Sequence, residues 1–433
     1  MVHSFKRFYY KYILAAIRAI VLIVGALFFG GGCPDEPLGS GTGSSYPAPP
    51  KYFSITSLSD NSLLLEWKSE SWSSNTSFKI ERADSSLVYR QIGAADLTNL
   101  SFNDTDIDKR KVYYYRVRSV QDNVVGDASR VIMAVFSITA NLVRTVPTGS
   151  SIHKILITPD GKNIVSTNNN DTEISVWNTD TWTVSTIPGN SGGVDAIALT
   201  LDSKYAVIGG YPNIKIRSLS DGNLVRVIAA DSDRTAELAL NNNGSTLITA
   251  DDHGRLRLYQ FSTGKLLQNL DSAKYGTWQL DADPFSDRVT ACSYLAMKEW
   301  EIGSRFLRSS TFEHNTLPKY SPGGSYLAVN PTDSPSSLVL YRMSDWTLVF
   351  SSKYSAYAKS FSIDEKKLFI GDDNVIRILD VPSGKVLQSF TAHLNAVTAL
   401  ACFPDGVTFA SGGWDKSIKI WSLTQTEQWH IAN

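Results

Sequence analysis

From Ile155 to the C-terminus the chain repeats one pattern: a polar turn, a short apolar run, a second turn, and a strand that ends on a large residue. The closing strands are Ser175-Val176-Trp177, Lys215-Ile216-Arg217, Arg257-Leu258-Tyr259, Lys298-Glu299-Trp300, Val339-Leu340-Tyr341, Arg377-Ile378-Leu379 and Lys419-Ile420-Trp421. Between Trp177 and Trp421 the steps are 40, 42, 41, 41, 38 and 42 residues, the period of a four-stranded sheet repeated along a chain. Pro159-Asp160-Gly161, Asn242-Asn243-Gly244, Pro322-Gly323-Gly324 and Pro404-Asp405-Gly406 punctuate the first turn, and Asp221-Gly222, Thr263-Gly264 and Ser383-Gly384 follow the third strand. Gly, Asn and Asp tolerate the positive backbone angle of a tight hairpin, so these turns predict antiparallel pairing.

The last copy is the most complete, with Thr391-Ala392-His393, Phe403-Pro404-Asp405-Gly406, Ala410-Ser411-Gly412-Gly413-Trp414-Asp415 and Ile418-Lys419-Ile420-Trp421. On these residues and the period, the region resembles the WD-repeat β-propellers, and the resemblance implies a seven-bladed propeller over residues 138–433. It also implies that His393, Ser411, Asp415 and Trp421 form one structural hydrogen-bonded chain. The other copies are degenerate, since Arg217, Tyr259, Tyr341 and Leu379 stand where the family has Trp. Leu142-Val143-Arg144-Thr145-Val146 has the pattern of an outer strand with no first-blade partner, and pairing it with Ile418–Trp421 would remove a sheet edge. The tail Glu427-Gln428-Trp429-His430-Ile431 competes for that place.

Upstream, Leu63, Leu65 and Trp67 alternate with polar residues and predict a half-buried strand. With Phe78–Arg82, Tyr89–Ile92, Ser101–Thr105, Ile107 and Tyr113–Val120, residues 47–137 resemble a fibronectin type III domain, a β-sandwich in which Tyr113 would tie a loop to the backbone. The expected fold is all-β, a sandwich followed by a propeller. Asp104, Asp106 and Asp108 are spaced like calcium ligands, but Lys109-Arg110-Lys111 follows in place of a turn glycine and a further acid, so a polar turn is expected and no metal.

Lys6, Arg7, Lys11 and Arg18 precede an apolar run from Ala19 to Phe29 that ends in Gly30-Gly31-Gly32-Cys33. The run is too short to span a bilayer comfortably and suits a secretory signal over residues 1–32. Small residues abutting Cys33 resemble a bacterial lipoprotein signal, which implies an acylated Cys33 and a lipid-anchored protein exported to the periplasm or cell surface. Gly30 departs from the family's apolar residue, and an uncleaved anchor from about Tyr12 to Phe29 is the alternative. Residues 33–46, rich in Pro, Gly and Ser, predict a flexible tether.

Removing residues 1–32 takes four basic and no acidic groups, moving the formal charge from −1 to about −5. A mildly acidic chain without basic clusters argues against nucleic acid as a partner. Cys292 and Cys402 fall three repeats apart, too far for a disulfide in a ring, and are expected as packed thiols. The six histidines show no metal-ligand spacing, and no nucleophile elbow, phosphate-binding loop or Cys-x-x-Cys pair occurs. No catalytic residue, cofactor or metal is assigned.

The expected function is a monomeric scaffold that binds a protein or glycan. A hydrolase with a site in the central funnel is the alternative. The resemblance places the binding loops on one side, bearing Tyr211, Arg234, His253, Tyr275, Tyr294, Tyr354, Tyr357 and Trp414, of residue types that dominate interface energetics. The opposite loops read as solvated turns.

Overall fold

A computed structural model describes residues 47–432, except 60–61, 69–71, 85, 109–110, 169–171, 230–233, 273–278, 293–296, 303–304, 311–314 and 332–337. The signal segment, Cys33 and the tether therefore lie outside the described residues, as do Tyr275 and Tyr294. Among the described residues all regular structure is β-strand, and no helix is long and apolar enough to cross a membrane.

The alternation of Leu63, Leu65 and Trp67 puts all three on the buried face of Ser62–Lys68, which pairs with Lys51–Ser59 and Ser101–Asp104. Thr76–Ala83 pairs with Arg90–Asp96 and Tyr113–Gln121 in a second sheet. Phe53, Leu63, Leu65 and Trp67 share one core with Phe78, Ile80, Tyr115 and Val117 across the two sheets. Each such side chain contributes roughly 1.5–3 kcal/mol on burial, so this core is the main stabilising element of the region. The Tyr113 hydroxyl accepts the Asp108 N–H at 3.0 Å. Asp104 and Asp106 are not free to hold a cation, because Arg82 pairs with them at 2.8 and 3.1 Å and the Tyr115 hydroxyl donates to Asp104 at 2.9 Å.

In the repeat region Ile152–Ile157, Asn163–Asn168, Glu173–Asn178 and Val184–Pro188 form an antiparallel sheet in sequence order, and five more four-stranded sheets of this kind follow. Three repeats fasten the first hairpin in the same way. The hydroxyls of Thr158, Thr200 and Ser362 donate to Asp160, Asp202 and Asp364 at 2.6, 2.6 and 2.5 Å. The same hydroxyls accept the N–H groups of Asn163, Tyr205 and Lys367, each at 3.0 Å. Successive sheets share apolar cores, as when Val165, Ile174 and Val176 meet Val194, Ile197 and Ile208. Ile152, Ile155, Ile164 and Trp177 of the first repeat share another with Ala399, Phe403, Ile418 and Ile420 of the last.

The last repeat is built differently. Val397–Cys402, Thr408–Gly413 and Ser417–Ala432 are neighbours, and the fourth strand is Val131–Pro147, which lies ahead of the first repeat. Ile418 pairs with Val146 and Trp421 with Leu142; beyond them Gln425 pairs with Ile138 and Ile431 with Ile132. The two segments expected to compete are thus both used along one ladder. Leu142 to Val146 lies beside the final repeat, and the Glu427 to Ile431 tail extends the N-terminal sheet, where Val131–Pro147 also pairs with Tyr113–Gln121. The boundary drawn between residues 137 and 138 falls inside this single strand. Phe136 and Trp429 meet edge to face at 6.0 Å and pack on the N-terminal core. The Arg144 guanidinium lies over the Trp182 ring at 4.7 Å.

Ending the chain after Leu423 deletes the ladder from Thr424 to Ala432 and the Trp429 ring but leaves the pairing of Ile418 with Val146. Calorimetry should then show the N-terminal sheets melting in a separate, earlier transition. An unchanged single transition would mean that the ribbon does not couple the two regions.

Candidate functional site

Two polar features stand out in the repeat region, one sealed and one open. In the sealed one, Trp421 Nε1 donates to Ser411 Oγ at 2.8 Å, Ser411 Oγ lies 2.7 Å from His393 Nε2, and His393 Nδ1 lies 2.9 Å from Asp415. Ser417 Oγ and the Leu394 N–H also donate to Asp415, at 2.7 and 3.0 Å. One tautomer satisfies every member: Nδ1 carries the hydrogen toward Asp415 and Nε2 accepts the Ser411 hydroxyl. Burial holds the His393 pKa down against the pull of Asp415, which keeps the ring neutral. Burial alone would raise the Asp415 carboxyl, but the Leu394, Ser417 and His393 donors outweigh it and leave the pKa below its usual value. Gly413 is required here, because a Cβ would stand 2.8 Å from His393 Nδ1.

Ser411, His393 and Asp415 have the connectivity of a nucleophile, a base and an orienting carboxylate. Their surroundings deny them that use. Ser411 is 0% exposed and its oxygen is held from both sides, so no carbonyl carbon can approach. The arrangement fastens the strands and carries no hydrolytic chemistry.

The loops before the first strands and between the second and third strands carry those residues singled out from sequence that the structure describes. Tyr211 is 49% exposed, Trp414 51% and Tyr357 66%. Tyr211 O accepts the Gly192 N–H at 3.2 Å, and Arg234 Nε donates to Asp195 at 2.6 Å, joining the loops of the second and third repeats. His253 is exposed and its Nδ1 lies 2.8 Å from Asp252, whose N–H donates to Arg234 O at 3.0 Å. Tyr211, Arg234 and His253 are therefore brought into one neighbourhood. Trp414 belongs to another, beside Leu394, which is 92% exposed. Tyr354 differs from the expectation of a free ring: it is half-buried, with the Arg377 guanidinium 4.2 Å from its centroid. Asp251, Asp252 and His253 could each turn a donor atom to one point, but Arg255 and Arg257 already neutralise Asp251 at 2.8 and 3.0 Å.

The open feature, which sequence reasoning missed, is a cavity of about 220 Å3 lined by the first strands of all seven repeats. Its charged residues come from different repeats: Lys154 pairs with Glu237 at 2.6 Å and Lys319 with Asp281 at 3.3 Å. Lys359 is buried, and its Nζ donates to Asn330 Oδ1 at 2.7 Å and Ala356 O at 3.1 Å. Burial pushes its pKa down to about 7. The opposite turns are also not uniformly polar, since Pro159, Pro284, Pro322, Phe361, Phe403 and Pro404 help to line a second hollow.

The arrangement of repeats agrees with the comparisons to known proteins. Residues 384–422 match the family model described as WD domain, G-beta repeat. Over 232 residues the chain is 25% identical to guanine nucleotide-binding protein subunit beta-5b of Danio rerio, covering 51% of this chain and 58% of that protein. A 62-residue stretch is 39% identical to the guanine nucleotide-binding protein subunit beta of Schizosaccharomyces pombe, covering 14% of this chain and 20% of that one. Over 52 residues the identity to Striatin-4 of Mus musculus is 52%, covering 12% of this chain and 7% of the relative. The chain thus spans little more than half of the first relative and small parts of the others. The matched repeat and the Gβ-like relatives support a WD-repeat β-propeller.

Asp415→Ala should leave His393 Nδ1–H and the Leu394 N–H without their acceptor and cost about 1–3 kcal/mol, read as a lowered denaturant midpoint. An unchanged midpoint would show that the four side chains do not act together. Lys359 gives a pH prediction. The folded amine is neutral above about 7, while the unfolded one keeps its proton to near 10.5. Between those values the unfolded chain binds more protons, so the stability contributed by this group rises with pH across the window and is lost as pH falls through about 7. The slope is at most about 1.4 kcal/mol per pH unit. Lys359→Met should flatten it in denaturant titrations at several pH values inside the window.

Proposed function

We propose that this protein is a membrane-tethered extracytoplasmic lipoprotein whose propeller binds a protein, or a glycan, through the rim bearing Tyr211, Arg234, His253, Tyr357 and Trp414. In this reading the seven repeat units are the blades of one ring, and the N-terminal sheets are a fibronectin type III-like sandwich. Acylated Cys33 anchors a monomer to a bacterial cell membrane. The observation that carries the binding role is that Tyr211 and Trp414 are about half exposed and Tyr357 more so, while the backbone beneath Tyr211 and Trp414 is fixed by hydrogen bonds between loops. Aromatic groups already held in place lose little entropy on binding, which favours them as anchors. The basic and apolar N-terminal pattern abutting Cys33 supports export and lipidation. The Gβ-like relatives support a protein partner over a catalytic role.

The double change Tyr211→Ala with Trp414→Ala should abolish partner capture from native membranes without altering the melting temperature. The pair Leu201→Ser and Val407→Ser, exposed apolar residues in first-hairpin turns, should leave capture intact. The reverse pattern would put binding on the other side. Cys33→Ala should abolish lipidation, seen as membrane release or as unprocessed precursor in intact-mass spectra. Unchanged retention and mass would overturn the anchor.

A further inference from the structure

A groove of about 480 Å3 opens between the first and second repeats. Asn163 and Tyr205, which each begin a second strand, line it together with Val184 and Ser185 at the start of an outer strand and Ser218 at the end of Asn213–Ser218. Tyr211 precedes that last strand, so the groove lies at the opposite end of the strands from it. Eight of the twelve lining residues end in a hydroxyl or a carboxamide, and one, Lys204, is charged. Three of the eight are uncommitted: among the described residues, the Asn163 carboxamide and the Ser185 and Tyr205 hydroxyls make no hydrogen bond to protein. The frame that carries them is fixed. The Asp160 N–H donates to Ser203 Oγ at 3.0 Å, which fastens the first hairpins of the two repeats to each other. The Tyr205 ring packs, partly buried, on the core shared by the second and third repeats.

The corresponding groove between the fourth and fifth repeats has a different chemistry. Arg288 begins its strand as Asn163 does, Arg342 ends one as Ser218 does, and Asp283 and the exposed Phe285 join them around Tyr326, the counterpart of Tyr205. A neutral lining therefore belongs to the first groove and is not imposed by the repeat.

We infer that the groove between the first and second repeats binds a neutral saccharide. Each sugar hydroxyl both donates and accepts, as do the hydroxyls and the carboxamide that face it. No carboxylate lines the groove to hold a cation, and its one ammonium lies on an exposed, flexible stem. A sugar ring also carries an apolar C–H face, for which the half-exposed Val184 and the Tyr205 ring are the apolar counterparts. The volume falls within the roughly 300–1,000 Å3 of ligand sites, and polar groups already held in place lose little entropy on binding. The site does not depend on the binding role of the rim.

The test is titration calorimetry of the whole protein with maltose, cellobiose and N,N′-diacetylchitobiose, carried to millimolar concentration. At least one of the three should bind. Asn163→Ala and Tyr205→Phe should each weaken it by about two- to tenfold, the loss of one hydrogen bond, without moving the melting temperature, since neither group has a protein partner to lose. The double change Tyr211→Ala with Trp414→Ala should leave the affinity for the sugar unchanged. Absence of binding by all three sugars would overturn the inference, as would an affinity untouched by both groove variants. Triglycine bound more tightly than every sugar would assign the groove to peptide instead.

Discussion

The pairing of Val131–Pro147 with Ser417–Ala432 is the constraint on which the rest of the structure depends. A run of four-stranded sheets in sequence order has an open edge wherever its last sheet lacks a partner, and an open edge is a row of unpaired N–H and C=O groups. Here the edge strand is covered by a segment that precedes every repeat, so the last sheet is completed by a strand from ahead of the first. Because the covering strand is also part of the N-terminal sheet, the same hydrogen bonds join the two regions into one eight-stranded sheet. The strand runs unbroken through residues 137 and 138.

The repeats tolerate loss of signature residues because several independent devices do the same work. Among the described residues, only the last has the full polar chain from Trp421 to Asp415. In the first, Trp177 Nε1 still donates to Ser166 Oγ at 3.0 Å, without a histidine behind it. The third and sixth use charge instead, Asp251 with Arg257 and Asp372 with Arg377, each at 3.0 Å. Beneath these differences the apolar cores between adjacent sheets persist. Burial of Ile, Leu and Val is non-directional, so it survives sequence drift that breaks a four-member hydrogen-bonded chain.

This division explains what could be read in advance. Strand order, hairpin turns and the outer strand at Leu142 to Val146 are local or periodic, and the sequence displays such features directly. The second role of the C-terminal tail is not legible in the sequence, because its alternating residues suit either part of the same ladder. Ser166 occupies the position of Ser411: it lies two positions after Ile164, which pairs with Trp177, as Ser411 lies two after Phe409, which pairs with Trp421. Exposure of Tyr211 and Trp414 follows from their Gly-Gly-aromatic turns, whereas Tyr354 is covered by Arg377 from a neighbouring hairpin of the same repeat, a contact no turn pattern encodes. Lys154 with Glu237 and Lys319 with Asp281 could not be foreseen from spacing. Each partner belongs to a different repeat, and only convergence of the first strands on one cavity brings them together.

The sealed polar chain also bears on the rim. Asp415 accepts the Leu394 N–H, and the Trp414 N–H donates to Ala396 O at 3.0 Å, so the turn bearing Trp414 and the loop bearing Leu394 are held to each other. The buried histidine thus fixes the base of an exposed tryptophan. A network that performs no chemistry can still set the geometry of a contact surface, since rigidity under an anchor residue lowers the entropy lost when it is covered. In the second and third repeats, Asp195 and Arg234 link their loops in the same sense across the base of Tyr211. The Arg234 end of that pair is half-exposed to solvent, so the pair contributes less than the sealed chain. The Trp414 side of the rim is therefore the better preorganised of the two, and the Tyr211 side the more adaptable.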